Sequence, residues 1–82
     1  MAIASLIIQS TIGLLNKVVA DLSQIPEVMV HSTTSKGEII ILIEEANLNQ
    51  ISYIAEKIGT LEGVTGVFPT YITIDDEEFQ ET

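Results

Sequence analysis

The sequence predicts an α+β domain in which two helices cover one face of a four-stranded antiparallel sheet. Strand-like and helix-like segments alternate as strand–helix–strand twice over, with one tight turn between the halves. The halves also repeat each other, because Leu-x-x-Ile-Pro-Glu-Val after the first helix is matched by Ile-x-x-Leu-Glu-Gly-Val after the second. With 82 residues the chain has room for one such domain and for no second core of useful size.

The first half is predicted from an apolar segment, a helical stripe and a proline. Residues 2–9 are apolar and β-prone and predict the first strand. Ser10 or Thr11 is expected to cap the first helix. The apolar residues of that helix recur at helical spacing: Ile12, Leu15, Val19 and Leu22, widened by Leu14 and Val18. Pro26 ends the helix, and residues 27–34 are expected to form the second strand.

The second half begins with a tight turn over residues 34–37. Residues 38–45 follow as the third strand, whose centre is apolar on both faces. Asn47 is expected to cap the second helix, which ends at Gly59. Residues 64–74 then predict the last strand.

Right-handed crossover connections determine how these strands are ordered in the sheet. They give the spatial order 4-1-3-2 with both helices on one face, which is the ferredoxin-like βαββαβ sandwich. Residues 1–74 are expected to form this single domain. Residues 75–82 contain five carboxylates and are expected to be a flexible acidic tail.

The face of the sheet opposite the helices is predicted to be apolar. The third strand alternates two apolar sets, and whichever set packs on the helices leaves the other outside: Ile39, Ile41 and Ile43 against Ile40 and Leu42. One side of the first strand carries a mixed set: Ile3, Ser5, Ile7 and Gln9. The two polar residues in that set favour it as the open side. Each apolar side chain left in water forgoes about 1.5–3 kcal/mol, so a second copy, a peptide or a small ligand at a dimer seam is expected to cover this face.

The charge of the chain limits its partners and its compartment. Twelve carboxylates face three lysines and no arginine, giving a net charge of −9. Such a field repels nucleic acid and anionic membranes and attracts cationic partners. No segment approaches the ~18 apolar residues of a membrane span, the N-terminus lacks the basic flank of a secretion signal, and cysteine is absent. We therefore expect a cytoplasmic protein that neither binds nucleic acid nor inserts into a membrane.

No catalytic or metal-binding set can be assembled from these residues. His31 is the only histidine, no cysteine accompanies it, and the serines are dispersed, so no nucleophile with its base is available. The third strand lacks the basic and aromatic residues of an RNA-recognition domain. A phosphate-gripping arginine is also missing. We therefore expect a binding protein and not an enzyme, with no catalytic residues, no metal and no cofactor.

Three segments of the chain resemble the NapD family, the cytoplasmic assembly chaperones of periplasmic nitrate reductase. They are Ser5-Leu6-Ile7-Ile8-Gln9 on the first strand, Gly37-Glu38-Ile39-Ile40-Ile41-Leu42-Ile43-Glu44 on the third, and Glu62-Gly63-Val64 with Tyr71 on the last. The resemblance covers nearly the whole chain. It implies binding of the twin-arginine signal peptide of the molybdenum-containing catalytic subunit, and retention of that precursor until its cofactor is inserted.

The resemblance also implies which residues contact the peptide. It carries over residues of three strands: Ser5, Ile7 and Gln9 on the first, Ile40 and Leu42 on the third, and Tyr71 on the last. Geometry alone adds Met29 and His31 on the second strand. A twin-arginine signal joins a basic segment to an apolar one, and an apolar sheet in a negative field complements both.

A permanent homodimer with no further role and an interaction module without an assigned partner remain open at the level of sequence, and so does one specific alternative. A stand-alone effector-binding domain of the Lrp/AsnC or ACT kind has the same element order, dimerises through its sheet and binds amino acids. The Lrp-type domain usually has Gly-x-Tyr-Asp before its third strand, whereas this chain reads Lys36-Gly37-Glu38-Ile39. A homodimer through the open face is compatible with either function.

Overall fold

The computed structural model describes residues 1–74, and the predicted acidic tail of residues 75–82 lies outside the described residues. Six elements follow one another: β1 (Ala2–Ser10), α1 (Leu15–Ser23), β2 (Val28–Thr33), β3 (Glu38–Glu45), α2 (Leu48–Gly59) and β4 (Val64–Ile74). The strands form one sheet in the order β2-β3-β1-β4, and every neighbouring pair is antiparallel. This is the predicted order read from the other edge, so the ferredoxin-like fold is confirmed.

The core lies between the helices and one face of the sheet. Its residues alternate along β1 and β3 and recur every three or four positions along the helices: Ala2, Ala4, Leu6, Ile8, Ile39, Ile41, Ile43, Val18, Leu22, Ile51, Ile54 and Ile58. All are aliphatic, and no polar side chain of the described residues is buried among them. Both helices therefore pack on the same face, as predicted.

The prediction that Ser10 or Thr11 caps α1 is wrong. Ser10 is the last residue of β1, and its hydroxyl donates a 2.8 Å hydrogen bond to the carbonyl oxygen of Gly37. The backbone N–H of Thr11 donates to Gly63 at 2.7 Å, so both residues belong to the sheet side of the connection. A turn with Gly13 at φ +91° follows. The helix begins only at Leu15, without a side-chain cap.

The late start of α1 leaves two residues of its predicted stripe outside the helix, Ile12 and the N-cap residue Leu14. Ile12 lies in the turn before the helix and is 98% exposed. The remaining stripe residues are buried or half-buried against the sheet. Local sequence periodicity could not reveal this, because backbone hydrogen bonds from distant parts of the chain extend β1 by tertiary contact.

The second helix begins where the sequence predicts. Asn47 has an extended backbone, and its side-chain oxygen accepts a 3.0 Å hydrogen bond from the N–H of Gln50, which satisfies one of the unpaired donors of the first turn. Neither helix among residues 1–74 has the length and apolarity needed to cross a membrane.

Candidate functional site

The open face of the sheet is set by the parity of its two central strands. On β3, Ile39, Ile41 and Ile43 are completely buried under the helices, while Ile40 and Leu42 point to the other face and are half-buried. On β1, the alternating residues from Ala2 to Ile8 pack on the helices. The opposite set faces outward, so the predicted open side is confirmed: Ile3, Ser5, Ile7 and Gln9.

Two rows of side chains cross the middle of the open face. The Ser5 row follows directly paired positions from one edge strand to the other: Met29, Leu42, Ser5 and Tyr71. The Ile7 row lies beside it: Ser32, Ile40, Ile7 and Phe68. Paired residues have Cβ atoms about 4.5–5.5 Å apart, so each row is a continuous surface. Met29 and Tyr71 are the most open apolar side chains of the rows, each 63% exposed.

Six of the eight residues predicted from the sequence lie in these two rows. Gln9 is one row further along β1, exposed and opposite Glu38 and Gly66. His31 is exposed and lies at a β-bulge in β2, where the register shifts between Val30 and Ser32. Its Nδ1 is 3.2 Å from the Ser32 hydroxyl. The peptide-binding role of all eight residues stays a prediction.

Phe68 belongs to this surface and was not among the predicted residues. Strict alternation would put positions 68 and 71 on opposite faces, but the register of β4 against β1 shifts between Ser5 and Leu6. Thr70 is the extra residue at this bulge, and its hydroxyl donates a 3.0 Å hydrogen bond to the carbonyl oxygen of Ser5. Both aromatic rings therefore reach the open face.

The Phe68 ring lies across the bare backbone of Gly66. A β-carbon at Gly66 would stand 2.5 Å from the Cε2 atom of the ring, so only glycine leaves room for this position. The Gly66-Val67-Phe68 spacing, with an aromatic residue two positions after a glycine on an edge strand, is the sequence signal that could have identified it.

Carboxylates flank the two rows, one group toward each end of the central strands. At one end Glu44 is paired with Ile3, and its N–H donates to the carbonyl oxygen of Glu27 at 3.4 Å, so these two glutamates are neighbours. A groove of about 400 Å³ runs beside them. Its walls are formed by residues of β1, β2 and β3 and the linker before β2: Ile3, Pro26, Glu27, Val28, Met29, Leu42 and Glu44. At the other end Glu38 is paired with Gln9.

Two of the three lysines lie on the helices. The Lys17 ammonium on α1 is 2.8 Å from Asp21 and 3.8 Å from Glu62, and its hydrogen bond to Asp21 raises the pKa of Lys17. Lys57 on α2 lies over the Tyr53 ring, 6.0 Å from its centroid. Lys36 is the remaining lysine and lies in the β2–β3 turn. The open face thus presents an apolar centre between acidic ends.

Metal ligation finds no support in residues 1–74. No three histidine or carboxylate side chains of this part of the chain are grouped closely enough to hold an ion. The surface offers contacts for binding, namely aliphatic and aromatic side chains, edge hydroxyls and carboxylates.

Two comparisons with known proteins match this chain. A family model described as NapD protein matches residues 1–76. The solution structure of the E. coli Tat proofreading chaperone protein NapD superposes with a TM-score of 0.79 at 22% sequence identity, covering 98% of this chain and 84% of that one. No curated protein matches the chain in sequence at a significant level. The structural similarity concerns the fold, and the family match extends over all described residues.

Proposed function

This chain belongs to the NapD family, and we propose that it is a proofreading chaperone of twin-arginine translocation. It binds the twin-arginine signal peptide of the molybdenum-containing catalytic subunit of a periplasmic nitrate reductase. Binding delays export until the cofactor of that subunit is inserted. NapD is a family of chaperones and not of enzymes, and the chain acts in the cytoplasm, where the precursor is made.

The observation that carries this proposal is the open face with its two apolar rows. The same sheet is sealed on the helix side by completely buried isoleucines, yet leaves Phe68, Met29 and Tyr71 about half exposed or more. Exposed apolar surface of this extent marks an interaction site on a small protein. The carboxylates at the two ends of this face favour a partner that carries positive charge beside an apolar segment.

Apolar burial and charge have different roles in this binding. Covering the half-buried side chains of the two rows removes apolar surface from water, at roughly 25 cal/mol per Å² before the cost of immobilising the peptide. The net charge of −9 accelerates the encounter with a basic peptide and selects against acidic ones. A signal held in this way has its arginines and its apolar segment against the sheet, out of reach of the export machinery.

Calorimetric titration with a synthetic twin-arginine signal peptide tests the proposal. We expect saturable one-to-one binding, weaker for a peptide with lysines in place of the arginines, because lysine cannot form the bidentate contact of a guanidinium with a carboxylate. A panel of free amino acids is the control. Heat from an amino acid and none from the peptide would contradict the chaperone function and indicate an effector-binding domain.

A further inference from the structure

We propose that the open face binds its peptide in one direction only. The cationic segment lies at the end formed by Glu27 and Glu44, and the apolar segment extends over the Ser5 and Ile7 rows toward the β2–β3 turn. This inference rests on the proposed function, since it assigns a direction to the same binding surface. It is drawn from the unequal charge of the two ends of the face.

The Glu27–Glu44 end combines charge with a groove of suitable shape. Both side chains are exposed, and the backbone hydrogen bond between the two residues keeps them adjacent. The groove of about 400 Å³ beside them has apolar walls from Ile3, Met29 and Leu42. An arginine side chain suits this combination, because its aliphatic stem packs on apolar surface while the guanidinium meets carboxylates.

The opposite end of the face is electrostatically different. The Glu38 carboxylate there already accepts a 3.2 Å hydrogen bond from the Thr34 hydroxyl. Lys36 lies in the same turn, so the charges of this hairpin largely offset each other. The electrostatic attraction of an incoming cation is therefore weaker at Glu38 than at the Glu27–Glu44 end.

None of the three lysines approaches the Glu27–Glu44 end within the described residues. Lys17 and Lys57 lie on the helices, and Lys36 lies at the far hairpin. The described chain also ends here, because Ile74 is paired with Ala2 beside the Ile3–Glu44 pair. Even with the α-ammonium of Met1 counted at the start of β1, two exposed glutamates make this end more negative than the far hairpin, where Lys36 offsets Glu38.

The dimensions of the face allow both contacts at once. Ile3 and Ile7 are four residues apart on β1, which corresponds to about 13 Å along the strand. An extended peptide covers that distance with about four residues, and a helical one with about nine. An arginine pair that adjoins an apolar segment can thus occupy the groove while the segment covers Ile40 and Phe68.

A spin-label experiment tests the direction. The chain has no cysteine, so Ala46→Cys and Ser35→Cys each give one attachment point, exposed and at opposite ends of the face. With isotope-labelled signal peptide bound, a nitroxide at position 46 should broaden the signals around the arginines. One at position 35 should broaden those of the apolar segment. The reverse pattern, or equal broadening from both positions, would overturn the inference.

A matched pair of charge variants gives a second readout. Glu44→Gln and Glu38→Gln remove the same charge from the same strand and the same face. We expect Glu44→Gln to weaken binding of the arginine peptide about three- to tenfold and Glu38→Gln less than about twofold. A peptide with glutamines in place of the arginines should not distinguish the variants. Equal losses overturn the direction alone, whereas no binding by the unchanged protein overturns the proposed function as well.

Discussion

Phe68 illustrates how a single residue reaches the open face of the sheet through its neighbours. Its ring lies over Gly66, faces Ile7 across the strand pair and is 49% exposed. An aromatic ring over a glycine on an edge strand is held by packing on one side and left open on the other. Such half-exposed aromatic side chains are frequent hot spots of binding.

Gly66→Ala tests this arrangement without removing the ring. The new β-carbon would stand 2.5 Å from Cε2 and 2.8 Å from Cζ of Phe68, so the ring must turn away. We expect the affinity for the signal peptide to fall about fivefold while the melting temperature changes little. Gly59→Ala is the matched control, since its β-carbon would meet only Val67, at 3.9 Å. If both variants bind the signal peptide with equal affinity, Phe68 does not contribute to the binding site.

At the residue scale, simple alternation predicted most of the surface from the sequence. Ile3 to Gln9 and Ile40 with Leu42 follow a period of two, which the structure keeps without interruption along β1 and β3. Bulges in the two edge strands break that period. The bulge in β4 brings Phe68 to the open face against the expected alternation. The bulge in β2 puts Ser32 instead of His31 opposite Ile40. A bulge depends on pairing with another strand and leaves little trace in local sequence.

Alternate residues of strand β3 lie in different environments, one set in the core and the other on the open face. Its odd-numbered isoleucines are completely buried under the helices, and its even-numbered apolar residues line the open face. We therefore expect stability and peptide binding to be separable along one strand, although the sequence there is a nearly uniform apolar run.

Ile41→Ala and Ile40→Ala make the same chemical change at adjacent positions. Ile41→Ala leaves a cavity in the core, and we expect it to lower the free energy of unfolding by about 2–5 kcal/mol. Ile40→Ala, at a half-buried position, should cost less than about 1.5 kcal/mol but weaken peptide binding severalfold. Denaturant unfolding and calorimetry measure the two effects. Equal destabilisation by both variants would show that Ile40 contributes to the core as much as Ile41 does.

The connection from β1 to α1 differs from the sequence prediction, which placed a helix cap at Ser10 or Thr11. A serine and a threonine before an apolar stripe indicate a helix cap. In the structure, however, the Ser10 hydroxyl donates its hydrogen bond to the carbonyl oxygen of Gly37 in the β2–β3 turn. We expect Ser10→Ala to lower the free energy of unfolding by about 0.5–1.5 kcal/mol through loss of that hydrogen bond. Thr11→Ala should change it by less than about 0.5 kcal/mol, because the backbone N–H that bonds Gly63 remains. A larger loss of stability for Thr11→Ala than for Ser10→Ala in thermal unfolding would contradict this assignment and support Thr11 as the helix cap.

The architecture of the whole molecule could be predicted because several levels of the sequence agree. The repeated strand–helix–strand order, the glycine and proline positions and the aliphatic periodicity all indicate the same sheet order. Which face of the sheet is left uncovered also follows, since two helices cover only one side of four strands. The groove beside Glu27 and Glu44 could not be predicted, because it forms between a linker and three strands that are distant in the sequence.

We expect the signal peptide to cover the open face of the sheet and to leave the helix face untouched. Isoleucine methyl NMR during titration with the signal peptide tests it most directly, because isoleucines mark both sides of the same strands. We predict saturable shifts for Ile3, Ile7 and Ile40, with small changes for Ile39 and Ile41. Shifts concentrated on the isoleucines of α2, or none that saturate, would show that the peptide does not bind the open face.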